Sequence, residues 1–551
     1  MKLSTGLWSA LVSFTVVLLF TISGIYLEDN ETIVAAINYG VLGEMGNEQY
    51  WSDSLVFLFP PLFHLSKNLP TIPVFGIFKL LTQFTVFWAI TVIAIRTFAN
   101  KVMYIMILVV AACVFLYDSL FQLHCIRQSV LLSFAALYLH SLEYDNNNRL
   151  RATPLLLFFF AVITRIHAAA LILFAFIAYD VLRKPLGYTF GKYKVMFAFT
   201  LMLLGLYQLN GKFTSNMGRY IEAHFEYPIL EKPHIAPLTS ASKSADTARY
   251  LGLKSFFFTD TAQYTREYFH QFVRIQPTLS FVFDPYNISA IKQDISKRWR
   301  DTSYLLISIV ILLCLFVCTS PGHAKESLLF TWVMFLVPAG LILLLTNELK
   351  ERFFNSYIGI LSWLLLLKYL VVFEERPLPK FVRISLPILV LIAIAIFGVR
   401  QVIYYHPLHV QLSQVHEAFL KNSKDLVKQT TGERTLFFSN AEIPLTNDPF
   451  YRTPETLYQN FATFDGGYLT YYSYCVERFT KLFGYHPGDF RKHTELLTNS
   501  KEGVLAYITK DRIQLISFYF LHLYKVKLDF TKVSDIHFCE ADIYRVKAYK
   551  I

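Results

Sequence analysis

The chain has 551 residues, of which 54% are hydrophobic, 17% aromatic and only 17% charged. That balance excludes an ordinary soluble domain, and the many long apolar runs mark a polytopic helical membrane protein. A formal net charge of +11 would suggest nucleic acid in a soluble domain. With no basic low-complexity tail, no nucleic-acid partner is expected, and the charge is assigned to cytoplasmic loops and to anionic lipid or substrate.

After a short basic start, Met1-Lys2, an apolar run near residues 6–26 leads into the acidic stretch LEDNE. It lacks a small-residue cleavage site, so it reads as an uncleaved first helix rather than a signal peptide. Further spans are expected near 72–95, 102–117, 120–141, 190–209, 303–318, 326–346, 354–373 and 384–404. The run 153–182 does not fit this series. As one helix it would be about 45 Å long, too long for a hydrocarbon core of about 30 Å. Arg96 with Lys101, Arg149 with Arg151, and Arg183, Lys184, Lys192 and Lys194 make three basic loops, which the positive-inside rule places in the cytoplasm. The run must then enter and return, as a helical hairpin of two short arms turning at Thr164-Arg165-Ile166-His167. The count comes to about eleven transmembrane helices, with a cytoplasmic N-terminus and outer loops at 27–71 and 210–302.

The expected fold is therefore an all-α polytopic membrane domain over 1–404, followed by a small extracytoplasmic α/β domain over 405–551. Hydropathy drops in the second unit. Strand-like runs at 435–439, 503–508, 536–538 and 543–546 accompany an amphipathic stretch, TYYSYCVERFTKLFGY. The six cysteines show no CxxC pair and no zinc spacing. Only Cys475 and Cys539 fall in the second unit, where a disulfide between them is open to either outcome.

Cations inside apolar sequence are costly and mark function by default. His124, Arg127 and Gln128 share one helical face, with Arg127 roughly 10 Å below the outer surface at 1.5 Å per residue. Arg165 and His167, at the hairpin turn, should lie at similar depth. Arginine suits a phosphate because its planar fork binds oxygens bidentately and stays charged, and a polyprenyl phosphate or pyrophosphate head group sits at that depth. The plainer alternative is an arginine that pairs with Asp118 or with a carbonyl and merely joins two helices. Arg352, at a membrane boundary in NELKERFFNSYIG, is either a third phosphate contact or an interfacial anchor. His167 is either a proton carrier or a donor to a carbonyl. Among the first-loop acids Glu28, Asp29 and Glu31, Asp29 is the preferred general base, with Asp53 a rival and a solvated acidic loop the plain alternative. Tyr468–Tyr474 suggests a sugar platform or an interfacial belt. No cofactor or metal cluster is expected, although Asp29 with Glu28 would suit one divalent cation.

The stretch CIRQSVLLSFAALYLHSLEYDNNNRLRATPLLLFFFAVITRIHAAALILFAFIAY resembles the core of EpsG-type bacterial polysaccharide polymerases. Arg127-Gln128 leads a helix, a short basic loop follows, and His167-Ala168-Ala169 completes the pattern over roughly 60 residues. The first-loop acids, the segment 210–302 and the C-terminal unit look more like the broader GT-C membrane glycosyltransferases. In those a first-loop acid is the catalytic base and a lipid-phosphate sugar the donor. Both resemblances imply a glycosyltransferase or O-antigen-polymerase-like enzyme of the cytoplasmic membrane. It would move sugar units from a polyprenyl-(pyro)phosphate-linked donor to a glycan acceptor at the outer face. On this expectation Arg127, Arg165, Gln128, His124 and Arg352 bind the donor, and Asp29 or His167 takes the acceptor proton. The rival of a different class is a transporter or flippase of lipid-linked sugars, which would also need cations at lipid depth.

Overall fold

The computed structural model describes residues 2–41, 58–98, 101–147, 151–213, 244–254, 305–318, 320–346, 351–374, 380–437, 445–463, 473–538 and 541–551, with isolated residues between 260 and 303. Among the described residues, five helices are long and apolar enough to cross a membrane, within Val74–Thr97, Cys125–Asp145, Leu186–Leu206, Gly322–Leu341 and Arg352–Glu374. Shorter apolar helices accompany them, and strands are few outside the C-terminal part.

In chain order the N-terminal part comprises α1 (Lys2–Ile22), β1 (Tyr26–Leu27), α2 (Asp29–Asn38), α3 (Phe59–Asn68), α4 (Val74–Thr97), α5 (Val102–Phe115) and α6 (Tyr117–Phe121). There follow β2 (Gln122–Leu123), α7 (Cys125–Asn147), α8 (Ala152–Thr164), α9 (Ile166–Val181), α10 (Leu186–Phe213) and α11 (Ser244–Lys254). Then come α12 (Leu305–Cys318), α13 (Pro321–Thr346), α14 (Glu351–Glu374) and α15 (Lys380–Gln429). One apolar core joins the bundle, with Phe134, Ala161, Ile172, Met334, Trp363 and Leu367 fully buried in it. Leu7, Leu11, Phe14 and Leu18 on α1 stay exposed, a face suited to lipid.

The run 153–182 reverses on a single residue. Arg165, at φ −158° and ψ 95°, is both the last cap of α8 and the first of α9. At the start of α7, Ser129 Oγ donates to the carbonyls of Ala161 (2.9 Å) and Arg165 (3.0 Å), which brings the end of α8 to that level. At the other end of α7, Lys192 bridges Asp145 (3.1 Å) and Asp180 (2.7 Å), so α9 has come back. The 13 and 16 residues of the two arms span only about 20 and 24 Å.

The bundle thus has two polar ends. One carries Glu28, Asp118, His124, Arg127 and Arg352. The other carries the pairs Arg96–Glu143, Lys101–Glu374 and Arg183–Glu326 together with the Asp145–Lys192–Asp180 bridge.

Helix α15, 50 residues long, passes residue 404 without a break and extends about 75 Å. Its distal part packs on a five-stranded sheet of order β4-β3-β5-β7-β6. The elements here are β3 (Thr435–Phe437), β4 (Phe461–Thr463), α16 (Ser473–Phe483), α17 (Phe490–Asn499), β5 (Val504–Thr509), α18 (Lys510–Tyr524), β6 (Val526–Phe538) and β7 (Ala541–Lys550). β3 runs parallel to β4 and β5, whereas β7 is antiparallel to β5 and β6. Alternation along β5 explains the layering. Leu505 and Tyr507 pack with Phe419 and Leu426 of α15, and Ala506 and Ile508 pack with Phe479, Phe490 and Ile516 on the opposite face. Strand β4 and the first half of β6 were not expected from the sequence. β6 follows α18 after only Lys525, a non-glycine residue at φ 56°, so no glycine or proline punctuates the change.

Candidate functional site

A two-residue parallel bridge builds the site. Tyr26 pairs with Gln122 and Leu27 with Leu123, so the next residues on each strand, Glu28 and His124, emerge side by side where α7 begins. Glu28 stands at the first cap of α2, yet its side chain makes no capping bond. Its carboxylate instead accepts from Arg127 Nε at 3.3 Å and from Arg352 Nε. Burial pushes its proton affinity above the ordinary carboxylate value, against the pull of Arg127 and Arg352, and the like charge of Asp118 adds to the rise.

Arg127 is 2% exposed and fully engaged by the protein. Beyond Glu28, its NH1 donates to Asp118 and its NH2 to Gln122 Oε1 at 2.8 Å. The pairing with Asp118 left open by the sequence is therefore what the fold contains, and Arg127 is spent on protein partners rather than turned to an open face. Asp118 also accepts from Asn355 Nδ2 of α14 at 3.2 Å. Gln128 is fully buried and donates to the Lys79 carbonyl (2.8 Å) and Gln83 Oε1 (3.3 Å), which ties α7 to α4.

His124 Nδ1 accepts from the Ile126 N–H at 3.0 Å, which puts the proton of the neutral ring on Nε2. That nitrogen faces Arg352 NH1 at 3.4 Å. Two donors facing one another invite an acceptor oxygen. The charges of Arg352, Lys79, Arg127 and Arg165 all bear on His124, so the fold gathers the three arginines that the sequence singles out and adds Lys79 to them. Arg352 and Arg165 are half-buried and His167 is exposed at the start of α9. The side chain of Asp29, the first residue of α2, lies outside the described residues, as do Asp53, Glu348, Lys350, Cys539 and most of the run from Tyr468 to Tyr474.

Gln122, Asn355 and Lys79 are members of the site that the sequence does not single out, and Glu31 it names only as one of three first-loop acids. Glu31 and Lys79, both buried, pair at 2.7 Å, and the second oxygen of Glu31 accepts the Cys125 N–H at 2.9 Å. A carboxylate at that helix N-terminus satisfies an orphan donor and matches the helix dipole. Donor atoms of Glu31, His124 and Cys125 lie within 4.8 Å of one another, the spacing of a metal site. The residues do not suit one: Glu31 is committed to Lys79, His124 Nδ1 is occupied, and the surrounding cations repel another. No signal short of the fold pairs Lys79 with Glu31, since 48 residues separate them.

Comparison with protein-family models, with curated proteins and with solved structures finds no match.

Proposed function

We propose that this membrane protein is a glycosyltransferase or polysaccharide polymerase that uses a polyprenyl-(pyro)phosphate-linked sugar donor and a glycan acceptor. One observation carries the reading. A carboxylate of raised proton affinity, Glu28, is held between two arginines beside a histidine donor, at one polar end of an apolar bundle. Arg352 and Arg165, the less buried cations, hold the donor phosphate, with His124 Nε2–H as a neutral donor to the same oxygens. Arg127 positions this group. Among the first-loop acids whose side chains are described, Glu28 is the one whose carboxylate meets these cations, and it is taken here as the base.

In the step, the acceptor hydroxyl gives its proton to Glu28 while its oxygen bonds the anomeric carbon of the donor sugar. The bond from that carbon to the phosphate oxygen breaks, and its electron pair leaves on the lipid phosphate. The guanidinium groups of Arg352 and Arg165 stabilise that growing negative charge. No metal ion is needed to balance the step.

The finer topology belongs to the same proposal. The opposite end carries Arg96, Lys101, Arg183, Lys184 and Lys192, which favours the cytoplasm. The Glu28 end, the C-terminal sheet unit and the chemistry then face outward across the cytoplasmic membrane, with about eleven passes in all.

Purified full-length protein given a lipid-linked sugar donor and acceptor in detergent should form glycan product. Glu28→Gln should lower turnover by roughly 100-fold or more, the usual yield of a positioned base. Absence of transfer, with movement of the lipid-linked sugar across proteoliposomes, would replace this reading with the flippase one.

A further inference from the structure

The charges around Glu28 form a row graded in exposure. Asp118 and Arg127 are buried, Glu28 is 14% exposed and Arg352 28% exposed. Arg127 faces two carboxylates and divides itself unequally between them. Its forked NH1 and NH2, the part shaped for bidentate binding, go to Asp118 and Gln122. Its contact with Glu28 is made through Nε, at 3.3 Å. Helix α14 enforces the division. Asn355, which holds Asp118, lies three residues after Arg352, which holds Glu28, so one turn of one helix grips both acids.

We infer that Asp118 is a positioning residue: by occupying the fork of Arg127 it keeps that arginine from forming a full ion pair with Glu28, and so leaves Glu28 able to accept a proton. The role assigned to Glu28 rests on the function proposed above, but the electrostatic coupling does not. The groups facing Glu28 are Arg127 from α7, Arg352 from α14, Asp118 from α6 and His124 from the link between β2 and α7. The Glu31–Lys79 pair of α2 and α4 stands behind them. The rise in proton affinity from burial and from Asp118 agrees with the geometry.

The test is a substrate-free infrared titration of Glu28 in the full chain reconstituted in lipid, its carboxyl band identified by its loss in Glu28→Gln. Asp118→Asn frees the fork, and the Glu28 midpoint should move down by about one pH unit or more, as expected for a carboxylate gaining a close cation. Asn355→Asp gives the fork a second competing acid, and the midpoint should move up. Asp118→Glu should restore it. If Asp118→Asn does not fold, the Asn355→Asp shift decides alone. A midpoint unmoved in Asn355→Asp, or moved down there, overturns the inference. In the transfer assay the acid limb of kcat should follow the same shifts while KM for the donor stays unchanged. Shifts in the infrared titration without any transfer activity would remove the proposed function and leave the coupling standing.

Discussion

The two arginines that touch Glu28 differ in what surrounds them, and their variants should fail in different ways. Arg127→Ala strips the buried partner from Asp118 and leaves that carboxylate uncompensated, at a cost of about 3–5 kcal/mol in folding. The variant should melt early in detergent or fail to accumulate. Arg352→Ala removes a half-buried side chain from the rim of the site. It should keep the wild-type melting temperature and lose transfer by roughly 100-fold or more, as when one oxyanion donor is removed. Equal melting temperatures for the two variants would contradict this division. Depth and residue type alone mark Arg127, His124, Arg165 and Arg352 in the sequence. The sequence prefers Asp29 to Glu28 as the base, although the two are adjacent on the chain and nothing local separates them. That choice depends on the register of Tyr26-Leu27 against Gln122-Leu123, which sets which acid stands beside His124.

At the scale of elements, loop charge revealed the reversal within 153–182, because the positive-inside rule acts on loops rather than on helix content. The C-terminal unit was less legible. Short strands such as Phe461–Thr463 carry too few residues for an alternating pattern, and their pairing partners are distant in the chain. The same unit contains a pH-sensitive element. His493 is fully buried, with Nδ1 accepting from Tyr485 Oη and Nε2–H donating to the Pro487 carbonyl, both at 2.7 Å. Burial pushes its imidazole from an ordinary 6.5 down to about 3. The unfolded chain then takes up a proton that the folded one refuses. The stability present above pH 6.5 is therefore lost as the pH falls toward 3, at about 1.4 kcal/mol per unit. Denaturation at pH 7, 6 and 5 should show a steeper decline for the native chain than for His493→Gln, and parallel declines would remove His493 as the cause.

At the scale of the molecule, the two polar ends and the long helix α15 make orientation testable. With native cysteines replaced, Lys501→Cys should react with a membrane-impermeant maleimide on intact cells, while Leu186→Cys should react only after permeabilisation. Both positions are exposed, so labelling reports sidedness rather than burial. Labelling of both from one side would overturn the proposed orientation.

By itself the sequence determined that the chain is a membrane protein, that basic loops alternate along it, and that cations lie where lipid would exclude them. These are local properties: composition, hydropathy over a helix length, and charge within a few residues of a span. Tertiary structure alone decided which protein groups those cations meet and how deeply each is buried. Arg127 meets Asp118 nine residues away, but its contact with Glu28 spans 99 residues and that of Arg352 with Glu28 spans 324. Hydropathy carries no information about pairings at such separations; they exist only once α2, α6, α7 and α14 are packed at one end of the bundle.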